Sequence, residues 1–304
     1  MSNNTYYPGL PDDYEPRVHR AIVTSVRKLG QGMIRITLGG PDMHDYPTTG
    51  IGDEYVRLFF PDHPDEPVRL PFVTDRGWDY AEGVEPSQMR TYTVRKHRSG
   101  EIDVDFVEHE GGIASAWALQ AQEGQELGIN PPKEIYLRPV GARRQVLFAD
   151  EPALPAALRI AELTASEIDT ELIIEVRGAG YQLLADIPGV SYTWLRRTGN
   201  GLAPSGLVSA LERTDIDDDT YVWVAAETRV TRQARKYLRH ERKLSSEMYK
   251  TMGYWTDNAE EWRARYEELG EEFHAKLREL WADQDRDPEE ITDETQRLYE
   301  SVGL

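Results

Sequence analysis

The segment RTYTVR at positions 90–95 contains three residues suited to binding a phosphorylated aromatic molecule. The Arg90 guanidinium can pair with phosphate oxygens, the Tyr92 ring can stack on a planar heterocycle, and the Thr93 hydroxyl can donate to a ring nitrogen. On a β-strand Arg90 and Tyr92 share one face, while Thr93 lies on the other face or at the strand end. Taken alone, the segment also fits an ordinary strand, because threonine, tyrosine and valine favour strands.

A second feature follows about a dozen residues later, where a strand turns through two glycines into a helix. The strand carries Asp105, Val107 and His109, and the helix begins near Ile113, Ala114 and Ser115. Small residues at a helix N-terminus leave backbone N–H groups open, and such groups bind phosphate oxygens well. An Arg-x-Tyr-Thr strand followed by such a helix has the layout of a flavin site.

Six stretches of the chain resemble the siderophore-interacting proteins, which are FAD-dependent ferric-siderophore reductases of the ferredoxin-reductase-like superfamily. The stretches are RTYTVR (90–95), VDFVEHEGGIASAWA (104–118), GQELGINPP (124–132), FADEPALPA (148–156), WVAAE (223–227) and GYW (253–255). They follow the family's order and span most of the chain up to residue 255. The resemblance implies a Greek-key flavin barrel followed by a nucleotide-binding α/β domain.

The resemblance also implies roles for individual residues. Tyr92 would stack on the isoalloxazine ring, Thr93 would approach its N5 edge, and Arg90 would hold the FAD phosphates; Tyr92 and Thr93 are thus the implied catalytic residues. The other implied cofactor-binding residues are Val94, Asp105, Val107, His109, Ile113, Ala114 and Ser115, with Asp150 and Glu151 near the adenine end. Glu227 occupies the position of an acidic residue on the nicotinamide side.

The resemblance implies a substrate as well. Ferric siderophore complexes of the hydroxamate or catecholate type are commonly anionic, so a basic rim would attract them. The candidate binding residues are Arg57, Lys133, Lys243 and Lys250. Each of these four also fits a solvated surface base.

The function implied by the resemblance is an oxidoreductase that passes electrons from NADPH or NADH through FAD to Fe(III), so that iron is released in the cytoplasm. Reduced ferredoxin is a further candidate donor. Two alternatives remain open, a flavin or ferredoxin-type reductase with a non-siderophore acceptor and a non-catalytic siderophore-binding protein. The seven histidines form no metal-binding spacing such as HExxH, and we expect no metal site.

Hydrophobic periodicity predicts the elements that position these residues. Short strands separated by turn residues indicate a six-stranded antiparallel barrel over residues 1–140. The predicted strands are Arg17–Lys28, Met33–Leu38, Tyr55–Phe60, Met89–Lys96, Ile102–Glu108 and Glu126–Ile129, with a helix over 113–122. Strands alternating with helices then predict a parallel-sheet domain over residues 141–255. Near-continuous apolar runs at 145–149, 171–176, 192–195 and 221–226 predict four of its strands.

Composition excludes several classes of protein. The chain has 304 residues, a formal net charge of −19 and no cysteine. The acidic balance argues against nucleic-acid binding, and without cysteine there is no disulfide, thiolate metal site or cysteine nucleophile. No stretch approaches the roughly 18 apolar residues of a membrane helix, so we expect a cytoplasmic monomer without membrane insertion.

Charge is distributed unevenly near the C-terminus. Residues 229–250 hold eight Lys or Arg against two acids, whereas residues 256–304, a predicted helical extension, hold sixteen acids against six bases. In the extension, apolar residues at helical spacing between Trp262 and Leu280 predict an amphipathic helix, and Asp287, Pro288 and Glu290 predict the start of another. The basic segment could be a solvated helix face, could hold the NADPH phosphate or siderophore, or could pair with the acidic tail.

Overall fold

The computed structural model describes residues 7, 9–11, 13–63, 66–74, 77–109, 111–183, 185–282 and 286–304. These residues form a barrel-like antiparallel sheet, then a parallel sheet flanked by helices, and then three helices. This order confirms the predicted fold class of a β-barrel, an α/β domain and a helical extension. The limits 1–140, 141–255 and 256–304 stay predictions.

The N-terminal part consists of short strands joined by turns. They are β1 (His19–Leu29), β2 (Met33–Gly39), β3 (Glu54–Phe60), β4 (Phe72–Thr74), β5 (Gly77–Asp79), β6 (Gln88–Thr93), β7 (Lys96–Arg98), β8 (Glu101–Val107), β9 (Glu126–Ile129) and β10 (Lys133–Glu134). Eight of them form one antiparallel sheet in the order β10-β3-β9-β1-β2-β8-β7, with β6 paired to β3 outside this path. β4 and β5 form a separate hairpin.

The sheet has eight strands in the described part of the chain, whereas six were predicted. All six predicted strands are present, but the segment predicted as one strand over 89–96 is divided between β6 and β7. The division arises because the backbone changes partner: the Val94 N–H donates to the Glu54 carbonyl on β3, and the Arg95 N–H donates to the Asp103 carbonyl on β8. The two-residue strand β10 was also not predicted.

Helix α1 (Ile113–Gln120) packs on the barrel core between β8 and β9 in the chain. Its Trp117 ring lies 5.5 Å from the ring of Phe60 and 5.9 Å from that of Phe106. The helix ends two residues before its predicted limit because Ala121 has extended backbone angles. Burial of such large side chains stabilises the barrel by about 1.5–3 kcal/mol each.

The second part is a five-stranded parallel sheet with helices between its strands. The strands are β11 (Arg144–Ala149), β12 (Asp169–Val176), β13 (Val190–Arg196), β14 (Thr220–Glu227) and β15 (Tyr249–Trp255), and the helices are α2 (Leu154–Thr164), α3 (Leu207–Arg213) and α4 (Thr228–Lys236). The strand order is β13-β12-β11-β14-β15. The order reverses between β11 and β14, and ligands of such sheets bind in the crevice beyond the carboxyl ends at that point.

Strand β15 was not predicted, although the other four parallel strands were. It is an edge strand in which Tyr249 is buried and the remaining residues are half-buried or exposed. Its sequence YKTMGYW therefore lacks the continuous apolar run that identifies strands covered on both faces. At its carboxyl end, the Tyr254 hydroxyl donates to Asp53 next to β3 of the barrel, and the Trp255 indole donates to Asp150 after β11.

The C-terminal extension contains three helices. They are α5 (Ala259–Glu267), α6 (Glu271–Ala282) and α7 (Pro288–Ser301). The helix predicted between Trp262 and Leu280 is interrupted after Glu267, so its apolar residues lie on α5 and α6. The Asp287 carboxylate accepts from the Glu289 N–H at 2.9 Å and caps α7, as its sequence predicted.

The basic segment pairs with this extension. Arg235 is buried on α4 and donates to Glu289 at 2.7 Å and to Asp293, and Arg239 donates to Asp293 at 2.9 Å. Burial alone would raise the pKa of Asp293, but the hydrogen bond and charge of Arg235, with the charges of Arg239 and His240, bring it below its usual range. The contacts of Arg235 and Arg239 therefore agree with the hypothesis that the basic segment pairs with the acidic tail.

Replacing Arg235 with alanine is expected to lower the free energy of unfolding by about 2 kcal/mol, because the charged hydrogen bonds to α7 are lost and two carboxylates are left facing each other. Lys236→Ala is the matched control, since Lys236 is exposed on the same helix. Urea unfolding and proteolysis of the extension would measure both variants. Equal stability of the two variants would contradict the assigned role of Arg235.

Candidate functional site

Strand β6 presents two polar side chains in different environments. Arg90 is exposed, and its guanidinium donates to the Met89 carbonyl oxygen at 2.7 Å. Thr93, at the end of β6, is 7% exposed. The strand therefore offers an accessible guanidinium at one point and a buried hydroxyl three residues further on.

Tyr92 lies between these two residues and packs on the barrel. Its ring centroid is 4.3 Å from that of Phe106, with the ring planes tilted by 39°. Burial raises the pKa of the Tyr92 hydroxyl, so it stays neutral, although the charge of Arg90 opposes this shift. The contact with Phe106 also brings β6 beside β8, the strand that leads to α1.

The N-terminus of α1 has the open backbone that its sequence predicted. Gly111 and Gly112 have φ values of 76° and 81°, which glycine adopts without strain. No side chain caps the helix at Gly112. A Cβ at Gly112 would lie 2.9 Å from the His109 ring. The exposed glycine turn and the uncapped N–H groups fit an anionic phosphate.

Ser115 has a local role in this turn. Its hydroxyl donates to the His109 carbonyl at 2.9 Å and accepts from the His109 N–H at 3.1 Å. Ser115 therefore holds the turn before α1 in place while lying 1% exposed. This contact explains a serine at this position whether or not it also touches a ligand.

Several other predicted cofactor residues take part in the packing of the barrel. Asp105 is buried and forms two hydrogen bonds with the Arg35 guanidinium, at 2.6 and 2.7 Å. Four further residues that were predicted to bind the cofactor are buried or half-buried, namely Val94, Val107, Ile113 and Ala114. For Asp105 the pairing with Arg35 on β2 is the contact that the structure provides.

Three predicted acidic residues lie beyond the carboxyl ends of β11 and β14, which are adjacent strands. Asp150 accepts from the Trp255 indole N–H at 2.6 Å and from the Glu227 N–H at 2.9 Å. Burial raises the pKa of Asp150 to about 7 despite these hydrogen bonds. Glu151 accepts from the Arg177 guanidinium at 2.8 Å. The structure thus brings the three together where the strand order reverses between β11 and β14.

Glu227 ends β14 and begins α4. Its carboxylate accepts from the Arg229 N–H at 2.6 Å and from the Asp257 N–H at 3.2 Å. It therefore caps α4 and fastens the segment after β15. Its two carboxylate oxygens therefore accept hydrogen bonds from the backbone of α4 and from the backbone of the segment after β15.

The barrel and the parallel sheet meet at residues that the sequence did not single out. Asp53, next to β3, is 0% exposed and accepts from the Tyr254 hydroxyl at 2.5 Å and from the Trp223 indole N–H at 3.2 Å. These hydrogen bonds join the residue before β3, the strand that pairs with β6, to β14 and to the carboxyl end of β15.

A buried ion pair holds the same junction. Arg159 on α2 pairs with Glu54 on β3 and donates to the Val94 carbonyl just after β6. The neighbouring loop is close-packed, because a Cβ at Gly52 would lie 2.5 Å from the Ile160 Cα. The position of β6 relative to the parallel sheet is thus fixed from several directions.

Two of the predicted siderophore-binding bases lie together on the barrel. Arg57 on β3 pairs with Thr91 of β6 and lies 4.8 Å from the centre of the Trp78 ring. Lys133 on β10 lies 5.0 Å from the centre of the Tyr7 ring, and its pKa is lowered by burial and by the charge of Arg57. Arg57 therefore lies on the strand that pairs with β6, and Lys133 lies on a strand that pairs with the same strand β3.

The other two predicted bases lie elsewhere. Lys250 on β15 is half-buried, and its charge acts on the Asp53 carboxylate. Lys243 is exposed beyond the π-helical turn that follows α4, with a φ of 56°. Lys250 is thus close to the junction, whereas Lys243 belongs to the loop before β15.

The described residues lack two further kinds of feature. They include no group of three or more His, Asp or Glu side chains arranged to hold a metal ion. None of the helices they form has the length and apolar character needed to cross a membrane.

A solved structure of a ferredoxin reductase shares this fold of a barrel followed by a parallel sheet. The ferredoxin reductase of carbazole 1,9a-dioxygenase matches with a TM-score of 0.59 over 80% of this chain and 71% of its own, at 14% identity. At that identity the match shows the fold alone. It agrees with an antiparallel barrel next to a parallel sheet.

More specific matches identify the family. Two family models match this chain. The model described as "Siderophore-interacting FAD-binding domain" matches residues 22–136, and the model described as "Siderophore-interacting protein" matches residues 142–258. The ferric vibriobactin reductase ViuB of Vibrio cholerae is 30% identical over 278 residues, covering 84% of this chain and 98% of its own. The chain therefore belongs to the siderophore-interacting protein family, and its cofactor is FAD.

Two further relatives agree with this assignment. A siderophore utilization protein from T. fusca matches with a TM-score of 0.69 at 31% identity, covering 80% of this chain and 94% of its own. The NADPH-dependent ferric-chelate reductase of Escherichia coli is 29% identical over 262 residues, covering 84% of this chain and 99% of its own.

Proposed function

We propose that this protein is an FAD-dependent reductase of ferric siderophores, with NADPH or NADH as electron donor. The observation that carries the proposal is the junction at Asp53, where Tyr254 and Trp223 of the parallel sheet donate hydrogen bonds to the residue before β3, the strand that pairs with the predicted flavin strand β6. A dinucleotide in the crevice of that sheet would face a flavin on β6. Relatives named as ferric reductases support an iron complex as acceptor.

The residues at the flavin site fit a cofactor with phosphates and a planar ring. The exposed Arg90 guanidinium and the uncapped N-terminus of α1 would bind the phosphates. Tyr92 would lie against the ring system, and Thr93 would contact its edge at the junction. Bound FAD supplies hydride acceptance and single-electron donation, while these residues orient it.

The siderophore would bind beside this edge. Arg57 lies on β3, which pairs with β6, and Lys133 lies on β10, which also pairs with β3, so their charges would attract an anionic ferric complex to the flavin. Lys250 would contribute from the opposite side of the junction. Hard oxygen chelators hold Fe(II) more weakly than Fe(III), so reduction would release the iron. Release in the cytoplasm, a monomeric state, ferredoxin as donor and a role for Lys243 stay predictions.

Anaerobic stopped-flow absorbance would test the proposed function. The FAD-loaded protein should be reduced by NADPH or NADH and then reoxidised by ferric hydroxamate or catecholate complexes, with Fe(II) trapped by a chromogenic chelator. Free flavin and soluble dyes as acceptors would separate the non-siderophore reductase. Siderophore binding without reoxidation would instead support the non-catalytic binding protein and overturn the proposal.

A further inference from the structure

The face of β3 that carries Arg57 continues onto the two strands beside it. Lys133 on β10 and Thr93 on β6 both lie directly opposite Tyr55 in the register, and Arg57 lies two residues further along β3. Opposite residues of paired strands, and residues two apart on one strand, place their side chains on the same face. Lys133, Tyr55, Arg57 and Thr93 therefore share one face, and two strand spacings place the Lys133 and Thr93 Cα atoms about 10 Å apart.

Two positive charges lie close together on this face. Lys133 and Arg57 are diagonal neighbours in the register, which places their Cα atoms about 7–8 Å apart. The two charges interact, because burial and the charge of Arg57 lower the pKa of Lys133. Among the described residues, no carboxylate forms an ion pair with Arg57, whose guanidinium lies on the Trp78 ring instead. A negatively charged ligand would therefore stabilise this pair of bases.

Each of the two cations lies on an aromatic ring. The Arg57 guanidinium is 4.8 Å from the centre of the Trp78 ring, and the Lys133 ammonium is 5.0 Å from the centre of the Tyr7 ring. Trp78 on β5 is half-buried, and its ring meets that of Phe59 edge-on at 5.6 Å. Such rings attract a cation without neutralising its charge. The face thus presents positive charge and aromatic surface together.

The iron complexes of siderophores differ in charge and in aromatic character. A catecholate group brings two negative charges to Fe(III), whereas a hydroxamate group brings one. A tris-catecholate complex therefore carries three negative charges, and a tris-hydroxamate complex is neutral. Catecholate rings are also planar and can stack on a tryptophan ring or on a guanidinium. Both properties of the catecholate complex match the face that carries Arg57 and Trp78.

We propose, given the reductase function proposed above, that this face selects ferric siderophores of the catecholate class over those of the hydroxamate class. Arg57 and Lys133 attract the negative charge, and Arg57 with Trp78 supplies the surface on which a catecholate ring stacks. Trp78 is then a specificity-determining residue, contributed by the β4–β5 hairpin rather than by the barrel sheet. The shared face holds the iron complex beside Thr93, at the predicted flavin edge.

Isothermal titration calorimetry of the oxidised, FAD-bound protein without an electron donor tests this specificity. The probes are ferric enterobactin, a tris-catecholate, and ferrichrome, a neutral tris-hydroxamate, and the first should bind more tightly. Arg57→Gln should weaken tris-catecholate binding about 10-fold, because a charged hydrogen-bonding group is lost, and should change ferrichrome binding much less. Arg27→Gln, which removes an exposed arginine on β1, is the matched control and should bind both probes like the wild type.

Trp78→Leu tests the ring separately from the charge. It should weaken tris-catecholate binding about 5-fold, since a stacking surface is lost, and Trp78→Phe should restore most of the affinity because it keeps a ring. Trp281→Leu, which removes an exposed tryptophan on α6, is the control. Chromium(III) trisoxalate carries three negative charges without a ring, so it should bind the wild type and Trp78→Leu equally well.

Equal affinities of the wild type for the two iron complexes would overturn the proposed specificity. If Trp78→Leu binds the tris-catecholate as tightly as Trp281→Leu does, the ring of Trp78 has no part in it. Both results are distinguishable from failure of the reductase function, because binding is measured without electron transfer. Selective binding of the tris-catecholate without flavin reoxidation would retain the specificity and contradict the reductase, whereas reoxidation by hydroxamate complexes alone would do the opposite.

Discussion

Replacement of Arg90 by alanine is expected to weaken FAD binding about 30-fold, which corresponds to about 2 kcal/mol. The reason is that a guanidinium bound to phosphate contributes charge-assisted hydrogen bonds that alanine cannot replace. Within the described residues, no carboxylate forms an ion pair with Arg90, whose guanidinium donates to the neutral Met89 carbonyl oxygen. The guanidinium can therefore bind phosphate without first breaking a salt bridge.

Fluorescence quenching of FAD by the apoprotein would measure the dissociation constant. Arg27→Ala is a suitable control, because Arg27 is also an exposed arginine on a barrel strand. Arg90→Lys should fall between wild type and alanine, since lysine keeps the charge but not the planar fork. If Arg90→Ala and Arg27→Ala bind FAD equally well, Arg90 does not hold the phosphates. Increasing salt should narrow the difference if it is electrostatic.

The sequence was sufficient to predict elements whose burial follows from local pattern. β9 was placed at Glu126–Ile129, and four of the five parallel strands were found from their apolar runs, because strands covered on both faces need such runs. β15 was missed because its residues are mostly half-buried at the sheet edge. The separation of β7 from β6 and the short strand β10 were not predicted, because backbone hydrogen bonds rather than an apolar pattern define them.

The site was predicted less completely, because residue type does not reveal the partner. Asp105 and Glu151 match the family's pattern. In the structure, however, Asp105 pairs with Arg35 and Glu151 pairs with Arg177, and both arginines are distant in the chain. The predicted roles of these acids in FAD binding therefore stay predictions. The open N-terminus of α1 was found correctly, because consecutive glycines before small residues are a local signal.

Asp53 was not found because its significance depends on two distant residues. It lies 201 positions from Tyr254 and 170 from Trp223 in the chain, and only packing of the sheet against the barrel brings them together. The segment GYW was recognised as a family motif, but the motif does not say which residue Tyr254 contacts. A sequence signal was present, since an aspartate precedes a buried strand without an adjacent base, but it is too common to be specific.

The ion pair between Arg159 and Glu54 gives the largest expected effect on stability. Replacing Arg159 with methionine should lower the free energy of unfolding by about 3–5 kcal/mol, because it leaves the Glu54 carboxylate buried and unpaired. The Glu54 side chain is 0% exposed and that of Arg159 is 7% exposed, so water cannot easily replace the lost partner. Urea unfolding followed by circular dichroism would measure the change.

Arg95 provides the matched control, because it joins the same two structural units. Its guanidinium donates to Glu162 on α2 at 2.6 and 2.7 Å, but the Glu162 side chain is 37% exposed. Arg95→Met should therefore cost less than Arg159→Met, since water can solvate the remaining carboxylate. Equal costs would mean that burial of the partner does not determine the energy of these pairs.

Arg159 is also expected to affect electron transfer without touching the cofactor. Its hydrogen bond to the Val94 carbonyl fixes the residue that follows Thr93, so its loss should loosen the junction at which donor and flavin meet. In the double variant Arg159→Met with Glu54→Gln, the buried charge is gone, and much of the stability should return. Flavin reduction by NADPH should stay slow in that variant, because the restored stability does not restore the contact that positions β6. Recovery of both quantities together would show that Arg159 acts on stability alone.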